Sequence, residues 1–477
     1  MTTVADVVAD GLARAGTPRL FTAARDNALL EAAGRRALAI VHTRTETAAC
    51  VMGAVTGRLA DAPGAVVIAG DPAAARDGVT SAWLARCPVV VVSTGVAVPE
   101  SLHTVTKAVL SIGHESAGHW IAHACQLAMK EPRGPVHLQI PDEIGGAAAL
   151  PVATTCRPAP LPSPEPEALD AAARLIAAAT RPLLVVGLQC RSEDDAAWLR
   201  AFAEALPAPA LVTPNAKGAL PDPHPLVIGM LGTSAREADL VAEADLIVAI
   251  GLDPLEAPRS GWPATTPILH LAAASPETPP TASVVGEIGL VLEELAPRLR
   301  ERRAADWDVA RLHVLKQALG SAPSGDEPEV SAYRVVELAR AVAPAGTVAV
   351  FDLDRALSAA MRAWQAVAPG ECVASVSRGI GFALPAAMAA QLARPDRPTI
   401  GFTTRGLLAA AADELDTVAA LGLPIIMVVL DDGMPSVLTR ARSAGLAAID
   451  ADGAAALEAT LGRLVGRRQG AVVETQV

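Results

Sequence analysis

Short uninterrupted apolar runs, separated by helical stretches, constrain this chain more than any other feature. Val89-Val90-Val91-Val92-Ser93 and Ile425-Ile426-Met427-Val428-Val429-Leu430 show no alternation of polar and apolar positions. A strand of that kind is buried on both faces. With helices between such strands, the architecture that buries both faces is a parallel sheet covered on each side.

The pattern repeats in three blocks. The first begins with a helix whose Val4, Val7, Val8, Gly11, Leu12 and Ala15 follow helical spacing and which stops at Gly16. Strands are predicted at Arg19–Thr22, Leu38–His42, Ala65–Ala69 and Val89–Ser93, with helices at Thr45–Leu59 and Ala75–Ala85. A Pro-rich stretch from Pro151 to Pro166 reads as a linker. The second block has helices at Glu167–Ala179 and Asp194–Leu206 and strands at Pro182–Gly187, Ala210–Thr213 and Asp245–Gly251. A polar, Pro-rich segment around Gly320–Pro328 precedes the third. That block has strands at Thr347–Asp352, Thr399–Thr403 and Ile425–Leu430, and helices at Gly381–Leu392 and Leu407–Leu421. The fold class is therefore α/β, with three doubly wound parallel-sheet domains at 1–150, 166–300 and 331–477.

Composition narrows the function classes. The chain has 477 residues, 51% of them hydrophobic and only 19% charged, enough to build several cores and too apolar for disorder. Its formal charge is −12 with no basic cluster, so neither nucleic acid nor an anionic membrane is an expected partner. The N-terminal residues do not read as a signal peptide and no apolar run is long enough to span a bilayer, so a cytoplasmic protein is expected. Cys50, Cys87, Cys125, Cys156, Cys190 and Cys372 lie far apart with no CxxC, and read as buried small residues in a reducing compartment.

Five segments, in order, resemble the acetolactate synthase type of thiamine-diphosphate enzyme, within the wider group of 2-oxo-acid decarboxylases. They are His42 to Ala49 with Thr56-Gly57-Arg58; Gly134-Pro135-Val136-His137-Leu138-Gln139-Ile140-Pro141; and Arg181-Pro182 with Thr213 to Gly218, His224-Pro225-Leu226 and Glu243 to Leu246. Gly379 to Ala387 with Ala393 to Pro398 is the fourth, and Glu414-Leu415 running through Gly422-Leu423-Pro424 to Leu430 is the fifth. No one of them is decisive, but their order and spacing cover nearly the whole chain. The resemblance implies a pyrimidine-binding, a central and a diphosphate-binding domain. It also implies a cofactor held between the first domain of one subunit and the third of another, hence a homodimer or homotetramer.

The resemblance assigns Glu46 the catalytic role of promoting the aminopyrimidine tautomer that takes the thiazolium proton, so that a 2-oxo acid can be attacked and decarboxylated. Read without the resemblance, Glu46 caps the helix start at Thr45 and favours its dipole. Ile380 matches the apolar wedge under the bent cofactor, with Gly379 and Gly381 beside it; a plain strand-to-helix turn with a core isoleucine is equally open. Gly379, Ile380, Gly381, Arg405, Gly406, Asp432 and Gly433 are the positions assigned to cofactor binding.

The metal-diphosphate motif departs from the family. Where the family has Gly-Asp-Gly, this chain has Thr404-Arg405-Gly406, and the later asparagine position is Asp432, 27 residues after Arg405. A guanidinium offers no oxygen to a hard cation, so no metal ligand is assigned and a magnesium site is doubtful. Arg405 either binds diphosphate directly at a helix N-terminus or reaches across to Asp432 or Asp431, and the carboxylate opposite it favours the ion pair.

Other departures accompany this one. Ala24-Arg25 replaces Pro-Gly, Gly70-Asp71-Pro72-Ala73 replaces a Gly-Pro-Gly loop, and the loop from Gly95 to Lys107 lacks the family's glutamine. Asp352-Leu353-Asp354-Arg355 lacks its His-Gln, and the segment after Asp432 looks cut down. His119 and His123, with His114 and Glu115 nearby, have zinc-compatible spacing but read as a solvated helix face.

The function expected from the resemblance is a thiamine-diphosphate lyase or carboligase acting on a 2-oxo acid, acetolactate synthase-like; the alternative is a non-catalytic scaffold or regulatory homologue, or a chain that supplies Glu46 to a site shared with an intact relative in a hetero-oligomer. Whether a flavin (FAD) or another nucleotide binds the central domain is open.

Overall fold

A computed structural model describes residues 2–95, 97–232, 235–258, 261–275, 280–299, 305–320 and 331–476. Nearly all of the Pro-rich segment read at Gly320–Pro328 lies outside the described residues.

Three six-stranded sheets are built from the apolar runs. The first contains β1 (Arg19–Thr22), β2 (Ala39–His42), β3 (Gly64–Ile68), β4 (Val89–Thr94), β5 (Val109–Ser111) and β6 (Pro135–Ile140). The second contains β7 (Pro182–Val186), β8 (Ala210–Val212), β9 (Val227–Met230), β10 (Leu246–Ile250), β11 (Ile268–Ala272) and β12 (Ala282–Val285). The third contains β13 (Val348–Phe351), β14 (Cys372–Ala374), β15 (Thr399–Thr404), β16 (Ile425–Leu430), β17 (Ala447–Asp450) and β18 (Ala471–Thr475). The ladders are parallel, as the continuous apolar runs require.

The strand orders are β2-β1-β3-β4-β6-β5, β12-β11-β10-β7-β8-β9 and β14-β13-β15-β16-β18-β17. The first and third sheets thus share one winding. Its order reverses between the first and third strands of each, at β1/β3 and at β13/β15. The central sheet has the winding of nucleotide-binding folds, reversing between β7 and β10. Such reversal points open crevices at the carboxyl ends of the strands, where ligands of α/β sheets bind.

The chain divides by packing into two units. One holds residues 2–159, 342–354 and 374–476, and so the first sheet and the third but for most of β14; the other holds 160–341 and 355–373, with the central sheet. By packing, residues 332–341 and 355–373 fall in the unit of the central sheet.

In the first unit, Val90, Val92, Val136 and Leu138 face the helices Val4–Ala15 and Ala117–Met129. The helix Glu46–Ala60 is buried at every residue from Ala48 to Gly57. It meets β3 through Gly53, where a Cβ would lie 2.6 Å from Val66, and packs against the alanine-rich helix Ala383–Ala393. Small residues let these layers approach closely. The central sheet buries Leu184, Val186, Val248 and Ile250 on one face and Leu183, Val185, Ile247 and Ala249 on the other.

The helix expected at Leu407–Leu421 is two helices, Arg405–Ala410 and Glu414–Ala420, joined by a turn. The break lets Ala411 sit beside Gly381 and sets the buried carboxylate of Glu414 at the start of the second helix. The predicted helix at Ala75–Ala85 is a 3-10 turn over Pro72–Ala75 followed by a helix over Arg76–Leu84.

Candidate functional site at the strand ends of the third sheet

Two residues flank the reversal point of the third sheet: Asp352, just after β13, and Arg405, just after β15. Asp352 is buried. It accepts hydrogen bonds from Thr403 Oγ1 at 2.6 Å and from the Ala383 amide at 3.2 Å, so it ties β15 and the start of the helix Ala383–Ala393 to β13. Burial raises its pKa to about 6, against the pull of those hydrogen bonds.

Arg405 does not pair with Asp432. Its Nη1 lies 2.7 Å from Asp431 Oδ2 and its Nη2 lies 2.9 Å from Glu474 Oε2, with Nε donating to the same Glu474 oxygen at 3.0 Å. Of the two carboxylates weighed from sequence, Asp431 is the partner. Asp432 Oδ2 instead accepts from the Gly406 amide at 3.0 Å and its Oδ1 from the Met434 amide at 3.2 Å. Partial burial opposes its charge, but hydrogen bonds from Thr404 and from those amides prevail and lower its pKa. Glu474, which sequence reasoning missed, is the centre of the arrangement. It is 1% exposed, and its second oxygen accepts from Ser436 Oγ at 3.0 Å and the Val437 amide at 2.6 Å. The available signal was a lone carboxylate inside the apolar run Ala471-Val472-Val473-Glu474-Thr475.

The position where the family motif would anchor a metal is thus taken by a guanidinium, which supplies no ligand oxygen. One arginine faces Asp431 and Glu474, with the Asp432 carboxylate on the adjoining Gly406 amide, a formal excess of negative charge where a diphosphate would need the opposite. The residues present do not fit a magnesium diphosphate. Among the described residues no group of three or more His, Cys, Asp or Glu side chains is arranged to hold a metal. His119 and His123 are exposed on their helix, with rings stacked at 6.1 Å between centroids.

Gly379 and Gly381 both have positive φ, +76° and +62°. Gly379 has open space around its Cβ position, whereas a Cβ on Gly381 would lie 2.6 Å from the Leu407 carbonyl oxygen. The tight approach at Gly381 is thus to the chain's own helix after Arg405. Ile380, between them, is half-buried. Gly433 has φ +81° and its amide donates to Asp431 Oδ1 at 2.8 Å, which shapes the turn that presents Asp431.

Glu46 opens the helix Glu46–Ala60. The Thr45 side chain caps that helix by accepting from the Ala48 amide at 3.1 Å, so Glu46 is a first-turn residue and not the cap. Its half-buried carboxylate has no hydrogen-bond partner among the described residues. The chain entering the helix is held from the third domain. Glu414 Oε1 accepts from the Arg44 amide at 2.8 Å and the Thr45 amide at 3.1 Å, and Oε2 accepts from Thr417 Oγ1 at 2.9 Å. Burial raises the pKa of Glu414, partly offset by these donors.

At the reversal point of the central sheet, Leu252 folds over the end of β7, and a Cβ on Gly187 would lie 2.4 Å from its Cα. The Leu188 amide donates to Glu256 Oε2 at 2.8 Å and the Ala273 amide to Gln189 Oε1 at 2.8 Å. A cavity of about 670 Å³ elsewhere in this domain lies beside Leu240, Trp307 and Leu315 and is edged by Arg311, paired to Glu243.

One winding used twice, in the first and third sheets, with a sheet of nucleotide-binding type between them in the sequence, defines a three-domain α/β protein of the thiamine-dependent kind. Residues 2–114 match the model of the thiamine pyrophosphate enzyme N-terminal TPP binding domain, 169–295 the central domain, and 355–466 the C-terminal TPP binding domain. The chain belongs to the thiamine pyrophosphate enzyme family and resembles its acetolactate synthases. It is 29% identical over 335 residues to the acetolactate synthase large subunit of Parasynechococcus marenigrum, covering 66% of this chain and 54% of that protein. It is 29% identical over 330 residues to a probable 2-ketoarginine decarboxylase of Pseudomonas aeruginosa, covering 65% and 57%. To the benzoylformate decarboxylase of the same species it is 27% identical over 389 residues, covering 74% and 71%. The chain thus spans little more than half the length of the first two. Among the described residues no helix is long and apolar enough to cross a membrane.

Proposed function

We propose that this chain is a non-catalytic member of its family, a scaffold or regulatory subunit that does not bind magnesium thiamine diphosphate through its own third domain. The placement of Arg405 between Asp431 and Glu474 carries this reading. A metal would have to displace a guanidinium already charge-paired on both sides, and a diphosphate would approach surplus carboxylates. Isothermal calorimetry with thiamine diphosphate, with and without magnesium, is expected to give no binding heat, and added pyruvate no carbon dioxide. Turnover of pyruvate by the purified homomeric chain would exclude the proposal.

A second reading, an acetolactate synthase-like lyase or carboligase acting on a 2-oxo acid, is favoured by Glu46. Its carboxylate is unengaged, on a helix start fixed by Glu414. The same residue supports a hetero-oligomer in which this chain gives Glu46 to a site completed by an intact relative; a homodimer or homotetramer is the alternative assembly. Native mass spectrometry of the chain alone, and then with such a relative, separates these. The amides of Leu188 and Ala273 are satisfied by Glu256 and Gln189, which argues against FAD or another nucleotide at the central crevice. Six free, buried cysteines suit a reducing cytoplasm.

A further inference from the structure

We infer that Arg405 is a built-in cation. It holds the strand ends of β15, β16 and β18 and the loop 431–437 in place without metal or ligand. This deepens the proposed function, since it concerns the same site, but it stands on a separate physical claim about order and not on the absence of turnover.

The argument starts from the distances a side chain must cover. β15, β16 and β18 are adjacent in the sheet, and neighbouring strands lie about 4.8 Å apart. Arg405 leaves β15, crosses the end of β16 and reaches Glu474 on β18. Few side chains are long enough, and of the cationic ones only arginine offers several donors in a rigid plane. Here that plane is divided. Nε and Nη2 go to Glu474, and Nη1 goes to Asp431 and, at 3.4 Å, to the Met434 carbonyl.

The loop hangs from the same carboxylates. Glu474 holds Ser436 and the Val437 amide with its other oxygen, Asp431 turns back to the Gly433 amide, and Asp432 holds the amides of Gly406 and Met434. Without a positive charge among them these carboxylates would repel one another, and Glu474 would be a buried, uncompensated anion. The guanidinium is therefore the element on which the order of the whole turn depends.

Hydrogen exchange of the full chain, read by mass spectrometry over 431–437, tests this. In the wild type the segment is expected to stay protected, with the same thermal midpoint in EDTA and in millimolar magnesium. Arg405→Met should raise exchange in that segment at least tenfold and lower the midpoint. Arg405→Lys, which keeps the charge but cannot engage both carboxylates with a planar fork, should fall between the two. Should Arg405→Met fail to fold, intermediate exchange in Arg405→Lys still supports the assignment. Unchanged exchange in either variant overturns it, and so does a wild type that loses protection in EDTA and regains it with magnesium. Calorimetric binding of thiamine diphosphate to a wild type whose loop is protected without ligand would end the proposed function and leave this clamp standing.

Discussion

Glu474 meets Arg405 with one oxygen, which takes both Nε and Nη2, and keeps the other for the Val437 amide and Ser436. A carboxylate divided in this way cannot be removed without stranding groups on both sides. Glu474→Ala frees a buried amide and leaves Arg405 with Asp431 and the Met434 carbonyl. Removing one partner of a buried pair costs about 3–5 kcal/mol, and that loss is expected in urea unfolding.

Glu414 acts between the first and third sheets of its unit, since it satisfies the Arg44 and Thr45 amides just before Glu46. Glu414→Ala is expected to destabilise the chain by about 1–3 kcal/mol, because it strands the buried Thr417 hydroxyl and leaves two part-buried amides without their acceptor. Exchange at the start of the helix Glu46–Ala60 should rise in parallel. If the helix start stays protected, the linkage is not what holds it.

Asp352 gives a pH signature. Its pKa is raised to about 6 in the folded chain by burial, against 3.8 ordinarily. Below pH 3.8 the carboxyl is neutral in both states and its contribution to stability is fully present. That contribution falls as pH rises from 3.8 to about 6, because the unfolded carboxyl ionises there while the buried one stays protonated, and it is fully lost once the folded group ionises. The loss is on the order of 3 kcal/mol at 1.36 kcal/mol per unit. Asp352→Asn should remove this component, so the wild-type minus variant stability difference should change between pH 4 and about 6 and be flat above it.

Gly381→Ala is expected to be destabilising by about 1–3 kcal/mol, since φ is +62° and the new Cβ would lie 2.6 Å from the Leu407 carbonyl oxygen. The effect should be the same with and without thiamine diphosphate, measured by thermal shift. A cost that appears only with the cofactor would show that the glycine serves the ligand.

Phe351 and Phe402 stack on adjacent strands at 4.7 Å between centroids, and both are buried. Phe402→Ala should cost about 3–5 kcal/mol and Phe402→Leu much less, because a leucine refills most of the volume. Chemical denaturation of both variants checks the ratio.

The fold was legible because continuous apolar runs such as Val89–Val92 and Ile425–Leu430 can serve only as strands covered on both faces, and both lie within strands as read. The helix after Arg405 was not, since nothing local marks its interruption. Ala411 must clear Gly381, and Glu414 must reach Arg44, both distant in sequence. The motif change at Arg405 was visible at once, but its partner was not. Spacing pointed to Asp432 and Asp431, whereas Glu474 becomes a neighbour only when β18 is laid beside β16. The edge strands β5 and β14, three residues each, are too short to announce themselves.

The shared winding of the first and third sheets carries a hazard for a chain still being made. Two sets of strands that obey one wiring diagram can exchange partners during collapse, the characteristic misassembly of repeated units. In this chain the central sheet, wired in another order, is synthesised between them. The first sheet's strands are therefore all available well before the third's emerge, and a charged clasp confined to Arg405, Asp431 and Glu474 marks only the later set. Segregation in time, and a lock that fits one copy alone, would keep the two from trading strands.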